Sequence, residues 1–250
     1  MDKKQLETFI KKYNLGGTIE GVLWTNIAGN LKTTAMTTDK KLFASVELKN
    51  GASFFKDVEV GISNTQKLKK QMAVLDDNMA LSLNIDPADA TRVIELKGDD
   101  GNNTFDHVTA QKDVIEAAPV LKTIPPYTVE VVINPKFVDT FSKAFAAIGD
   151  DAALFTLIMS KKKQKLELVL GYKQQLSDRI GIGVETVVGK DTVANPISFS
   201  AKHFKEILSA NSDATDDATL SVSEAGLASV KFEQGDFKSQ YYMVKIDVED

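Results

Sequence analysis

The residues that could do chemistry are few, and their spacing supports little of it. The chain has 250 residues, two histidines (His107 and His203) and no cysteine. Thiolate nucleophiles, disulfides and cysteine-held zinc are therefore excluded. The two histidines are far apart in sequence, and neither is spaced with Ser, Asp or Glu as a triad or a metal cluster would require. His203 falls on an expected helix among basic residues and reads as a surface or phosphate-facing side chain. Gly181-Ile182-Gly183 opens like a dinucleotide loop, but it lies in an expected strand and lacks the third glycine. Gly189-Lys190-Asp191-Thr192 has the lysine of a phosphate loop. Its upstream glycine, Gly183, is at the wrong spacing, and Asp191 stands where a hydroxyl is needed. Asp99-Asp100-Gly101-Asn102-Asn103 starts like a calcium loop, yet the carboxylate needed at the twelfth position falls on Ala110. It reads instead as a hairpin turn. These patterns suggest neither an enzyme nor a metal or cofactor site, and Trp24 is expected in the core.

Lysine is the exception. Of 30 Lys plus Arg residues, only Arg92 and Arg179 are arginine, and the chain's formal net charge is -5. The charge is segregated. Four expected helices, at residues 2–14, 63–75, 134–148 and 201–212, carry +2, +3, +1 and +1, which leaves the rest of the chain at -12. Arginine makes rigid bidentate contacts to bases and phosphates, whereas lysine is a mobile point charge. Helices that bring lysine to one face of a sheet would attract phosphates without reading sequence. The acidic remainder would repel nucleic acid from every other surface. The residues placed in this role are Lys3, Lys4, Lys11, Lys12, Lys67, Lys69, Lys70, Lys136, Lys143, Lys202 and Lys205. Surface helices are also lysine-rich simply for solubility, and charge alone does not separate the two. Lys161-Lys162-Lys163-Gln164-Lys165 reads as a solvated hairpin tip or an auxiliary phosphate contact.

The elements that position these lysines follow from periodicity. Leu6, Phe9, Ile10 and Tyr13 recur at helical spacing, and Asn14, Gly16 and Gly17 end that helix. Alternation predicts strands at 18–26, 31–37, 42–48 and 57–62. Ser63 or Asn64 caps a second helix with Leu68, Met72 and Leu75 on its apolar side. Strands are expected at 79–85, 91–97 and 104–109. The second half repeats the order. A strand at 128–133 leads to an Asn134-Pro135 helix start. Strands follow at 153–160, 165–173, 179–188 and 196–199. Ser200 caps a helix carrying Phe204, Ile207 and Leu208, and strands at 219–223, 227–233 and 237–247 close the chain. The repeat also shows locally. Ala80-Leu81-Ser82-Leu83, after an acidic turn, corresponds to Thr219-Leu220-Ser221-Val222 after another. The expected organisation is an α+β protein with domains at 1–110 and 128–250. A Pro-rich extended connector at 111–127 joins them.

The C-terminus makes the reading specific. Phe237-Lys238-Ser239-Gln240-Tyr241-Tyr242-Met243-Val244-Lys245-Ile246, followed by Asp247, Glu249 and Asp250, resembles the last strand of sliding clamps of the proliferating cell nuclear antigen type. The near-immediate start in a helix is similar to clamps of T-even-type phages. The resemblance implies two topologically similar clamp domains with helices on one face of antiparallel sheets, and three chains assembling into a ring around duplex DNA. It implies a non-enzymatic processivity factor with three further kinds of partner: a DNA polymerase, a clamp-loader ATPase and its own copies. Subunits would join by pairing 104–109 of one chain with 179–187 of the next. Partners would dock on Leu42, Phe43, Val120, Leu121, Ile124, Pro125, Tyr242 and Val244. The family proline after the double tyrosine is absent here.

A virion ring or tube subunit is the alternative reading, but it gives no reason to concentrate lysine on helices. A ligand-binding or enzymatic α+β protein would need converging polar groups that the sequence does not offer. No apolar stretch approaches the roughly 18 residues of a membrane span, so the expected location is intracellular and soluble (host cytoplasm, if phage-encoded).

Overall fold

The computed structural model describes residues 2–55, 58–116, 118–119, 123–149, 153–160, 165–172, 178–214 and 218–247. These residues form an α+β structure divided into two compact units. One comprises 1–37, 44–119 and 235–239; the other comprises 38–43, 120–234 and 240–250.

In the first unit, α1 (Lys3–Asn14) starts at a capping box: Gln5 N–H donates to Asp2 Oδ1 at 2.7 Å, and Asp2 N–H donates to Gln5 Oε1 at 3.1 Å. The reciprocal pair satisfies two donors that a helix start otherwise leaves orphaned. Leu6, Phe9, Ile10 and Tyr13 are fully buried, as their spacing predicts. Phe9 lies edge-on to Trp24, with ring centroids 6.0 Å apart. Trp24 is on β1 (Val22–Ile27), which pairs antiparallel with β2 (Asn30–Met36) and with β4 (Glu59–Ile62). β3 (Leu42–Leu48) flanks β2, giving the order β3-β2-β1-β4. Asn64 accepts from Lys67 N–H at 2.7 Å and caps α2 (Thr65–Met72). Tyr13 OH and Thr65 Oγ1, 3.3 Å apart, join α1 to α2. The unit closes with the antiparallel trio β5 (Ala80–Asp86), β6 (Asp89–Asp99) and β7 (Thr104–Val108). The Asp99–Asn103 segment is the hairpin turn between β6 and β7, as expected. Asp100 accepts from the backbone N–H groups of Asn102, Asn103 and Asp76. These donors hold its carboxyl well below the usual carboxylate range.

The second unit repeats this plan. β8 (Val129–Ile133) leads into α3 (Pro135–Ile148), capped by Asn134, which accepts from Phe137 N–H at 2.8 Å. Then come β9 (Leu154–Ser160), β10 (Lys165–Leu170), β11 (Ile180–Gly183), β12 (Thr186–Asp191) and β13 (Ile197–Ser200). Ser200 caps α4 (Ala201–Ala210), and β14 (Ala218–Val222), β15 (Leu227–Gln234) and β16 (Phe237–Val244) end the chain. The order β11-β10-β9-β13 reproduces β3-β2-β1-β4 strand for strand. Phe141, Phe155, Phe199 and Phe204 fill the space between α3, α4 and this sheet, with Phe155 and Phe204 centroids 4.9 Å apart.

One expected strand, 179–188, is two. β11 pairs with β10, whereas β12 pairs with β8 in the other ladder, so the chain changes sheets at residues 184–185. Alternation continues across the break, which is why periodicity reads it as one element. The glycines singled out earlier are structural: Gly181 and Gly183 lie in β11, and Gly189-Lys190-Asp191 lies in β12, where Lys190 forms an ion pair with Glu130. The basic 161–164 segment is outside the described residues.

Gly61 fixes where the chain leaves the first unit's sheet. Ala110 N–H donates to Gly61 O at 2.8 Å, and a Cβ at Gly61 would lie 2.2 Å from Ala110 O. Gly61→Ala should therefore cost about 1–3 kcal/mol, as overpacking against a fixed backbone does. Gly183→Ala, with nothing within 4 Å of the added carbon, should leave stability unchanged within about 0.5 kcal/mol. Thermal and denaturant unfolding of the two variants checks the contrast.

Candidate nucleic-acid interface and partner pocket

Each helix buries one stripe and carries exposed lysines away from it. On α1, Lys4 and Lys11 are exposed opposite Leu6, Phe9, Ile10 and Tyr13. On α2, Lys67, Lys69 and Lys70 are exposed around buried Leu68 and Met72. Lys136 and Lys143 on α3 and Lys202 on α4 are also exposed. Among the described residues, Lys4, Lys67, Lys69, Lys70, Lys136 and Lys202 form no ion pair; off the four helices, Lys97, Lys112, Lys190, Lys231 and Lys245 each pair with an acid, and Lys32, Lys41, Lys49, Lys165 and Lys238 do not. A lysine without a local acid keeps its full charge available to an external phosphate. Lys69 and Lys70 also sit in the last turn of α2, where they complement the helix dipole.

The remaining lysines are placed differently. Lys143 pairs with Asp139 at 2.7 Å, and Lys205 pairs with Glu206 at 3.2 Å while lying 5.8 Å from the Phe145 ring centroid. Lys3 is half-buried, and its ammonium donates to Leu75 O at 2.5 Å, just beyond α2. Lys12 corrects the sequence reading outright. It is 1% exposed, with Nζ 5.7 Å from the Phe237 ring centroid. It borders the apolar stripe of α1, and the long aliphatic stem buries as readily as a hydrophobe. It is not part of the exposed cationic face.

The expected partner pocket divides along the pleat of its strands. Side chains alternate between the faces of a strand, so Leu42 and Phe43 cannot share a site. Leu42 is 1% exposed and belongs to the core, whereas half-buried Phe43 lies 5.9 Å, ring to ring, from Tyr242. Tyr241 points to the helix side, where its hydroxyl accepts from Asn211 Nδ2 at 3.0 Å, so Tyr242 and Val244 take the other face. Tyr242 is 7% exposed, and Val244 and Ile124 are apolar side chains left 39% and 45% exposed. Pro125 is half-buried; Val120 and Leu121 lie outside the described residues. Burial pushes the Tyr242 phenol up, and the neighbouring phenol of Tyr127 pushes it further. Sequence reasoning missed Tyr127, although an aromatic at the end of a Pro-rich connector is a usable signal. For the expected pairing of 104–109 with 179–187, β7 pairs only with β6 among the described residues, and β11 is the outer strand of its sheet. Residues 186–187, by contrast, belong to β12.

The fold shields both histidines in part, and His203 more than its surface or phosphate-facing reading expects. His107 is buried on β7, with Nδ1 2.7 Å from Gln71 Oε1 on α2, while Gln71 Nε2 donates to Asp106 O at 3.0 Å. Burial and the charge of Lys67 push its pKa down. His203 is half-buried with Nδ1 shielded from solvent, and burial lowers its pKa against the opposing pull of Asp39. A histidine held neutral in the fold but ionised when unfolded removes stability as pH falls. Stability should thus be full above about 6.5, the ordinary imidazole value, and should decline below it until the lowered folded values are passed. His107→Gln should flatten part of that slope. Unfolding measured across pH 5 to 8 checks the sign.

Comparison with known proteins places this architecture. No family model matches the sequence, and no curated protein matches it. By structure the chain is similar to the proliferating cellular nuclear antigen of Entamoeba histolytica. The TM-score is 0.70 at 18% identity, over 99% of this chain and 97% of that one. It is also similar to A. fulgidus PCNA in a structure with the C-terminal region of FEN-1 bound, with a TM-score of 0.74 at 14% identity, over 100% and 98%. The two repeated units, each with paired helices against antiparallel strands, are thus the sliding-clamp fold, present along the whole chain.

Proposed function

We propose that this protein is a DNA sliding clamp without enzymatic activity: copies of the chain close into a ring around duplex DNA and tether a DNA polymerase to it. The observation that carries the reading is the set of exposed lysines without acidic partners, distributed over all four helices of a clamp fold whose remaining residues are acidic in sum. Mobile point charges suit contact that holds the duplex without fixing register. A closed ring is linked topologically to DNA, so the individual contacts can be weak. Tethering then raises the polymerase's effective concentration at the primer end.

Three copies would join through β7 of one chain and β11 of the next, by strand addition at free edges. An ATP-driven loader would open the ring. Phe43, Tyr242 and Val244, with Ile124 and Pro125 of the connector, form the apolar surface offered to the polymerase. The A. fulgidus neighbour, which holds the C-terminal region of another protein, supports a partner role for this fold.

The test combines mass and function. Light scattering with small-angle X-ray scattering should give about three times the 27.3 kDa of the chain and the profile of a hollow ring; a monomer at every concentration would overturn the proposal. Reversing charge at Lys4, Lys67, Lys70 and Lys202 should leave that mass unchanged, abolish polymerase stimulation and lower the salt dependence of DNA association. Each lost phosphate contact reduces the slope of log K against log salt by about 0.9. Unaltered stimulation in this variant would sink the DNA-facing role of the helices.

A further inference from the structure

The internal repeat exposes a difference between the units. β5 corresponds to β14 by sequence, with Leu81 and Leu83 aligned to Leu220 and Val222. In the second unit the far edge of β14 is paired antiparallel by β8, with Val131 opposite Leu220 and Val129 opposite Val222. Leu220 and Val222 are consequently fully buried. In the first unit β5 pairs only with β6, and among the described residues nothing lies along its other edge. Leu81 and Leu83 are half-buried, and Ile85, where the register with β6 shifts, is 40% exposed.

The edge is also regular. Ala80 through Asn84 keep continuous register with Asp99 through Glu95. An unpaired strand leaves alternate N–H and C=O groups open to pairing, and natural edges are usually blunted by bulges or inward charges. The other terminal strand, β12, is blunted in this way: only Thr186 and Asp191 keep register with β8, and an irregularity separates them. β5 carries no such irregularity across Ala80–Asn84, and it contains neither lysine nor proline.

We propose that the outer edge of β5 is a docking site for an extended segment of a partner protein. The segment adds antiparallel as β8 does, with β-branched apolar residues opposite Leu81 and Leu83 and with Lys or Arg at its ends. The charge requirement follows from the surroundings. Residues 76–106 carry eight acids against Arg92 and Lys97, a net of -6. Both cations are engaged, Arg92 with Asp86 at 3.3 Å and Lys97 with Glu95 and Asp106 at 3.3 Å each. Asp76 and Asp77 precede the strand, and Asp86 and Asp89 follow it. Two copies of β5 paired antiparallel would bring these acidic ends together, so the field disfavours self-pairing and favours a basic segment. Backbone pairing supplies affinity, and the alternate apolar side chains supply register.

The experiment uses the full chain and a fluorescein-labelled synthetic peptide, Lys-Lys-Val-Thr-Val-Thr-Ile-Lys-Lys. One comparison peptide has glutamate in place of every lysine; another is N-methylated at alternate backbone amides. Fluorescence anisotropy should show the basic peptide binding roughly tenfold or more tightly than either, the loss expected for a few missing hydrogen bonds or reversed flanks. Amide hydrogen exchange should slow within 80–86. Leu81→Ser with Leu83→Ser should weaken binding while leaving exchange in β6 and β7 unchanged. Equal binding of the N-methylated peptide, or protection confined to other strands, would overturn the proposal. So would concentration-dependent self-association that Ser82→Lys abolishes, because the edge would then belong to a second copy.

Discussion

Every strand in this protein divides its side chains between two faces, and in each unit the paired helices cover only one of them. That constraint decides which residues are structural and which are available. Leu42 and Tyr241 are spent on the helix side, whereas their sequence neighbours Phe43 and Tyr242 meet on the opposite face at 5.9 Å. The division is set by the pleat, because a shift of one residue would exchange the two sets entirely. The apolar outward patch is therefore a by-product of register that buried Leu220, Val222, Tyr241 and Met243 hold in place.

The same logic separates the edges of the sheets. The four-strand orders β3-β2-β1-β4 and β11-β10-β9-β13 are identical in plan, so the units share one core solution. They differ where β8 and β12 extend the second unit beyond β14. Covering an edge removes its capacity to pair, and leaving it open keeps that capacity. Among the described residues, β7, β11 and β5 are edge strands that retain backbone hydrogen-bonding potential, and β12 is one where an irregular register spends it.

Much of the architecture was legible because it rests on local periodicity. The stripe of α1, the Asn134 and Ser200 caps, the Asp99–Asn103 turn and the repeat itself follow from residues close in sequence. The split of 179–188 was not legible. Alternation is continuous through it, and only the identity of its two partners, β10 and β8, reveals the change of sheet. The Asp2–Gln5 capping box was visible in principle, as an acid followed three residues later by a glutamine. Lys12 was not: its burial depends on Phe237, at the other end of the chain. The pairing of Leu42 with Phe43 in one pocket was an error that strand alternation could have prevented.

Lysines therefore have to be sorted by surroundings rather than by count. Lys12 spends its stem on packing, Lys3 spends its ammonium on the Leu75 carbonyl, and Lys143 and Lys205 are neutralised by acids one turn or one residue away. What is left is smaller than the sequence suggested: Lys4, Lys67, Lys69, Lys70, Lys136 and Lys202 fall on all four helices and form no ion pair among the described residues. Solubility alone asks only for mixed charge on a surface. It does not require that exposed lysines without an ion pair recur on each of the four helices. A polyanion facing the helices favours lysines free of salt bridges there, because a salt bridge in the way would have to be broken before each phosphate could be met.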